Sequence, residues 1–209
     1  MRTLIISGGE MPTYNIPDKI VYPHDMVICA DYGCHHARQM GLSIDVAIGD
    51  FDSYSAAEVS AAHTITLSPE KDDTDTAAAI TYALEHGATE ILLLGATGGR
   101  TDHFLANIYL LRLIHEAGAA GTIYDGASLV GIISDRLDIS GKKDDLLSLI
   151  PLTDNVTGIT TGGLYYPLHD FTMKSGMARG ISNVLLGDTA TVSITGGLLL
   201  YVHTPINNL

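Results

Sequence analysis

Short, unbroken apolar runs most constrain the first half of this chain. Residues 3–6, 26–30, 46–48 and 91–94 are almost free of polar side chains, and each gives way to a turn containing glycine or aspartate. Residues 64–67 read as a further strand. Runs this short and this apolar suit strands covered on both faces. The stretches between them carry helical signals. Residues 34–40 close at Gly41, residues 55–62 read as a short helix, and residues 74–84 stop at His86-Gly87. Residues 102–117 form a second long helix ended by Gly118, with Leu105, Ile108, Leu111 and Leu113 supplying its apolar face. Strand and helix in alternation predict a mostly parallel sheet with helices on both faces, an α/β/α, Rossmann-like layer.

Beyond Gly118 the long alanine-rich helices cease. Residues 122–124, 128–134, 146–150, 156–160, 189–194 and 198–203 read as short strands separated by glycine turns such as Asp125-Gly126 and Thr195-Gly196-Gly197. That pattern predicts an all-β sandwich. The expected domains are residues 1–122 and 123–209.

The length of 209 residues and a hydrophobic share of 46% allow one large or two small folded domains. Acidic residues number 24 against 11 basic ones, a net charge of −13. This excludes a broad nucleic-acid footprint, which needs basic surface. A small phosphorylated ligand remains compatible, held through a metal and backbone N–H groups. Cys29 and Cys34 form neither a CxxC pair nor a zinc spacing, and Cys29 reads as a buried thiol. No stretch approaches the ~20 apolar residues of a membrane span. The opening MRTLIISGGE is too soon interrupted for a signal peptide. The expectation is a cytoplasmic protein with neither membrane nor nucleic-acid partners.

Loops that follow parallel strands leave one edge of the sheet, where ligands gather. Asp31 follows the second strand, Asp50 and Asp52 the third, Asp72, Asp73 and Asp75 the fourth, and Arg100 and Asp102 the fifth. One acid before a helix is an ordinary cap. Three beside Lys71 in KDDTD exceed what capping needs, and like charges call for solvent, a cation or a metal. In GDFDS, Asp50 and Asp52 suit Mg²⁺, although a polar turn capped by Ser53 is the plainer reading. In GATGGRTDH, Gly98 and Gly99 permit a close backbone cradle for phosphate, and Arg100 adds a planar fork of donors. His103 is singled out beside that loop. A simple βα turn, with Arg100 paired to a surface acid, also accounts for it. The loop is neither a Walker motif nor GxGxxG. Ser7-Gly8-Gly9 follows the same logic. In residues 176–183, Ser182 and Asn183 could read the edge of a heterocycle or bond to nearby backbone. Tyr165 and Tyr166 read as sheet packing.

GDFDS at 49–53, KDDTD at 71–75 and GATGGRTDH at 95–103 together resemble the thiamine pyrophosphokinase family. Asp31-Tyr32-Gly33 is similar to its Asp-Gly-Gly element, with Tyr32 in place of the middle glycine. LLSLIP at 146–151, TGGLYYPL at 161–168 and GISN at 180–183 resemble its later signatures. Gly162 stands where the family often has a lysine. The resemblance implies an α/β domain followed by a β-sandwich, assembled as a homodimer. It implies Mg²⁺-dependent transfer of an intact pyrophosphoryl group from ATP to the hydroxyethyl group of thiamine, releasing AMP. Asp31, Asp50, Asp52 and Asp75 would be the metal and pyrophosphate site, supported by Asp72 and Thr74. Asp50, Asp52, Asp75 and Arg100 would carry catalysis. Gly98, Gly99, Arg100, Asp102 and His103 would hold the nucleotide, and Ser182 and Asn183 would line a thiamine site between subunits. Two other readings use the same acids: a different Mg²⁺-dependent phosphotransferase or nucleotide hydrolase, and a non-catalytic nucleotide or thiamine sensor.

Overall fold

A computed structural model describes residues 1–17, 20, 23–51, 60–68, 70 and 72–208. The chain divides into two compact units, Met1–Gly126 and Ala127–Leu209. The first unit contains β1 (Arg2–Ile6), β2 (Met26–Ala30), α1 (Gly33–Gln39), β3 (Ile44–Gly49), β4 (Ala61–Thr66), α2 (Asp75–Glu85), β5 (Glu90–Leu94), α3 (Thr101–Glu116) and β6 (Ala120–Tyr124). Its strands lie in the order β6-β5-β1-β2-β3-β4, and every pairing is parallel. Ile5 at the centre of β1 lies between Ile28 and Leu93, and all three are fully buried. That is why these runs carry apolar residues at successive positions rather than alternate ones. At the far edge β4 is the exception, with His63, Thr64 and Thr66 exposed. Helices α1 and α2 pack against β1, β2 and β3, while α3 packs against β6 and α2.

The chain steps outward from β1 through β2 and β3 to β4, then returns to place β5 and β6 on the other side of β1. The topological switch therefore lies between β1 and β5, and the crevice beyond their carboxyl ends is where such sheets hold ligands.

Three local expectations need correction. Residues 61 and 62 belong to β4 rather than to a helix, and the other expected helical positions up to residue 59 lie outside the described residues. The buried face of α3 is Asn107, Leu111 and Ile114, whereas Leu105 and Leu113 are 53% and 41% exposed. Apolar residues occur all round this helix, so periodicity alone selects a stripe that shares only Leu111 with the buried one. Finally, β6 pairs in parallel with β5, so the first unit extends through Gly126, past the expected limit at 122.

The second unit contains β7 (Leu129–Ile133), β8 (Arg136–Ser140), β9 (Leu146–Pro151), β10 (Asn155–Gly162), β11 (Phe171–Lys174), β12 (Asn183–Val184), β13 (Thr189–Ser193) and β14 (Leu199–Thr204), then a 3₁₀ turn at Ile206–Asn208. Its strands form two antiparallel groups, β12-β9-β14-β7 and β11-β10-β13-β8. Leu147, Leu149 and Leu199 from one group share a core with Val156, Ile159 and Val192 from the other. A buried carboxylate ties this unit's C-terminal end. Asp145 accepts from the N–H of Lys142 at 2.8 Å and of Ile206 at 2.9 Å, and from His203 Nε2 at 3.2 Å. Among the described residues, no helix is long and apolar enough to cross a membrane.

Candidate active site

At the β1/β5 switch a cleft of about 530 Å³ opens between the loops that follow β1, β2 and β5. Two glycine loops form part of its wall and pack backbone to backbone. Ser7 N–H donates to Leu94 O at 2.8 Å, and Gly9 N–H donates to Gly95 O at 2.7 Å. A Cβ on Gly9 would sit 2.5 Å from the carbonyl oxygens of Gly95 and Thr97, and one on Gly95 would meet Ser7 O. No side chain fits at either position, which is the physical reason for glycine there. Two helices hold these loops in place. Thr76 Oγ1, in the first turn of α2, donates to Ser7 Oγ at 3.0 Å. Asn107 Nδ2, on α3, donates to Ala96 O at 2.7 Å. Both bonds are buried.

Asp31, Thr74 and Asp75 line the cleft, as do Gly98, Gly99, Arg100 and His103. Asp31 turns the chain out of β2 with a φ of 45°, a conformation aspartate tolerates better than most residues. Its N–H donates to Ile48 O at 2.9 Å, and its Oδ1 is buried. Gly49 makes this approach possible, because a Cβ there would lie 3.1–3.2 Å from the Asp31 backbone and Cβ. Thr74 is the N-cap of α2, accepting from Ala77 N–H at 3.2 Å, and Asp75 occupies the first turn. Asp50 is half-buried one residue beyond Gly49 and is not among the lining residues; Phe51 then turns the chain with a φ of 56°. Asp72 is exposed and also does not line the cleft. Asp52 and Lys71 lie outside the described residues. Among the described residues, no group of three or more His, Cys, Asp or Glu side chains could hold a metal ion.

Asp102 is directed at Arg100 rather than at the cleft. Arg100 Nη2 donates to Asp102 Oδ2 at 2.7 Å and Nε to Oδ1 at 3.2 Å, and His103 N–H donates to Oδ1 at 2.9 Å. The Arg100 fork, helped by that N–H, holds the Asp102 pKa down to about 2. Asp102 thus fixes the plane of the guanidinium of Arg100, a residue that lines the cleft.

Residues 18–120 match the catalytic-domain model of thiamin pyrophosphokinase, and residues 135–199 match the vitamin B1 binding-domain model of the same enzyme. The chain belongs to the thiamine pyrophosphokinase family. It is 32% identical to the thiamine pyrophosphokinase of Bacillus subtilis over 98% of this chain and 99% of that protein. The crystal structure of thiamine pyrophosphokinase from Bacillus subtilis superimposes with a TM-score of 0.85 at 29% identity, covering 98% of this chain and 99% of that one. A thiamin pyrophosphokinase family protein from Enterococcus faecalis gives 0.84 at 28% identity, with coverage of 98% and 99%.

In a thiamine pyrophosphokinase, the region matched by the B1-binding model becomes a second focus. There Ser182 is exposed, with a φ of 56° and its N–H donating to Ser148 Oγ at 3.0 Å. Asn183 is buried. Its Oδ1 accepts from Tyr166 N–H at 3.0 Å and Val184 N–H at 2.9 Å, and its Nδ2 donates to Tyr166 O at 2.7 Å. Its carboxamide therefore holds the Tyr165-Tyr166 turn. Those rings are 62% and 63% exposed and meet edge to face at 4.8 Å, so they are not sheet packing.

Several lining residues escaped the sequence reading: Glu10, Thr76, Thr97, Phe104 and Asn107. Asn107 carried a usable signal, since a polar residue in register with Leu111 and Ile114 interrupts a buried stripe. Glu10 carried none, because it lies in an irregular segment.

Proposed function

We propose that this chain transfers the pyrophosphoryl group of ATP to the hydroxyl of thiamine, with the nucleotide seated in the cleft at the β1/β5 switch. The observation that carries this reading is the convergence of two glycine loops, Arg100 and two carboxylates on one cleft, with the second glycine loop, Arg100 and both carboxylates inside residues 18–120, the region matched by the family's catalytic domain. ATP is the co-substrate that goes with the family.

Asp31 and Asp75 fit Mg²⁺. They are hard oxygen donors in one cleft, and Gly49 leaves Asp31 room to turn with its Oδ1 buried. An ion that keeps several waters and binds phosphate oxygens needs only one or two protein carboxylates. Asp50 and Asp52 follow β3 and complete the proposed set. Bound there, Mg²⁺ would offset the charge of the phosphates and make the β-phosphorus more electrophilic. The chain's own groups do the rest. Backbone N–H groups of the glycine loops and the Arg100 fork, oriented by Asp102, bind the phosphate chain. The thiamine hydroxyl attacks the β-phosphorus, the α–β bridging bond breaks, and AMP leaves while the hydroxyl proton is lost.

Thiamine is proposed to meet the second unit at Ser182 and at the tyrosine pair that Asn183 holds. Exposed tyrosine faces suit a flat, cationic heteroaromatic ligand. A homodimer, with each thiamine site shared between subunits, is part of the same reading.

The test is product identity. With ATP, Mg²⁺ and thiamine, the protein should form thiamine diphosphate and AMP in equal amounts. Formation of ADP with a monophosphorylated product would sink the reading, as would nucleotide hydrolysis indifferent to thiamine.

A further inference from the structure

His36, on α1, is buried and takes no part in the chemistry above. Its ring joins two segments. Nε2 lies 2.9 Å from the Gly9 carbonyl oxygen, and Nδ1 lies 3.0 Å from the Tyr14 hydroxyl. A carbonyl oxygen only accepts, so Nε2 carries the proton. In the neutral ring Nδ1 then accepts the Tyr14 O–H. Burial lowers the His36 pKa, opposed in part by the bond to Gly9 and reinforced by His35, which favours that neutral form. Tyr32, itself a lining residue, stands edge-on to the ring with centroids 5.3 Å apart.

Gly9 is thereby held at both ends, its N–H by Gly95 O and its carbonyl by His36. The described peptide bonds are trans, and a trans peptide directs its C=O and N–H oppositely. Fixing the Gly9 carbonyl on His36 therefore turns the Glu10 N–H away from that ring. Glu10 lines the cleft. We infer that His36 is a positioning residue for the nucleotide: with Tyr14 fixing the ring, it sets the Gly9–Glu10 peptide so that the Glu10 N–H is presented to the phosphates. The inference rests on the nucleotide occupying this cleft, as proposed above.

The test separates binding from turnover. α,β-Methylene-ATP carries carbon at the bridge that breaks in the reaction, so its affinity in the presence of Mg²⁺ can be measured calorimetrically without transfer. His36→Ala should weaken the analogue and raise the KM for ATP by about tenfold, the upper scale of one lost hydrogen bond and its dependent contact. The kcat and the KM for thiamine should stay within about twofold of the wild type, a split expected of a group that acts only on nucleotide binding. His36→Gln, whose amide can donate to Gly9 O and accept from Tyr14, should recover most of the affinity. Tyr14→Phe should cost about threefold. A folded His36→Ala that binds the analogue as tightly as the wild type overturns the inference. So does a parallel rise in the constants for ATP and thiamine, or a glutamine variant no better than alanine. If His36→Ala does not fold, unchanged affinity in Tyr14→Phe overturns it instead. Analogue binding that depends on His36 in a protein forming no thiamine diphosphate would uphold this role and reject the proposed reaction.

Discussion

Arg100 meets Asp102 through two donors, and both side chains are largely exposed. A surface ion pair of this kind contributes little to stability on its own. Its value lies in aim: a carboxylate held down to about 2 stays ionised near neutral pH and keeps the fork in one plane. Arg100→Lys keeps the charge and loses the plane. We expect the KM for ATP to rise by roughly tenfold while the thiamine constant and the thermal midpoint barely move, as seen by initial rates and a melting curve. Unchanged ATP kinetics would reduce the pair to surface decoration. At this scale the sequence exposed side chains that carry charge and hid those that hold backbone. Asp31, Asp75 and Arg100 are legible because acids and a glycine-flanked arginine after strands have few other uses. Thr76 is not, because a hydroxyl inside a helix looks ordinary until the loop it binds is placed beside it. Asn107 stands out only as a polar break in a buried stripe, and its partner on the glycine loop does not show in the sequence. Asn183 shows the converse: its chemistry allowed either a heterocycle or nearby backbone, and its geometry gives it to the Tyr166 backbone.

Elements were legible in proportion to how local their determinants are. The strands β1, β2 and β5 are buried on both faces, so composition alone marks them. Helix α2 announces itself through Thr74, its cap. By contrast β8, β11 and β12 were not foreseen. They are short or partly exposed, and the partners of β8 and β12 lie far along the chain, so pairing rather than propensity defines them. The link between the turn before β9 and the chain end after β14 is equally non-local. Burial alone would raise the Asp145 pKa, but the N–H groups of Ile206 and Lys142, with the His203 ring, outweigh it and bring it below the ordinary value. The sign follows directly: a carboxylate with a depressed folded pKa stabilises above its unfolded pKa, near 4, and that stabilisation is lost as pH falls through the folded value. Asp145→Asn sets an amide against those donors. It should lower stability by roughly 1–2 kcal/mol at pH 7 and flatten the loss of thermal midpoint below about pH 4. Melting curves across pH 7 to 3 check both, and an equally steep acid loss in the variant would count against the assignment.

At the level of the whole molecule, the α/β half and the β-rich half were both readable from the change in pattern near residue 120, whereas the division itself was not. β6 has the composition of either half and is assigned by its pairing with β5. The proposed sharing of sites between two copies has a direct test. Asp75→Asn and Tyr166→Ala, each inactive alone, should regain activity when mixed under conditions of subunit exchange, because one site of each mixed dimer is then intact. Sedimentation should give twice the chain mass. A fully active monomer, or no recovery in a proven mixed dimer, would confine each site to one subunit. The placement of β1 between β2 and β5 bears on how the chain assembles. Arg2 pairs with Glu90, and the Met1 ammonium donates to Thr89 Oγ1, each across 88 positions. On a ribosome, strands up to β4 can emerge and pair while one edge of β1 still waits for β5, leaving open backbone that could recruit a stray strand. The cleft at the switch does not exist until that wait ends, so ligand capture cannot help the chain through its most vulnerable interval; it can only hold the finished structure afterwards.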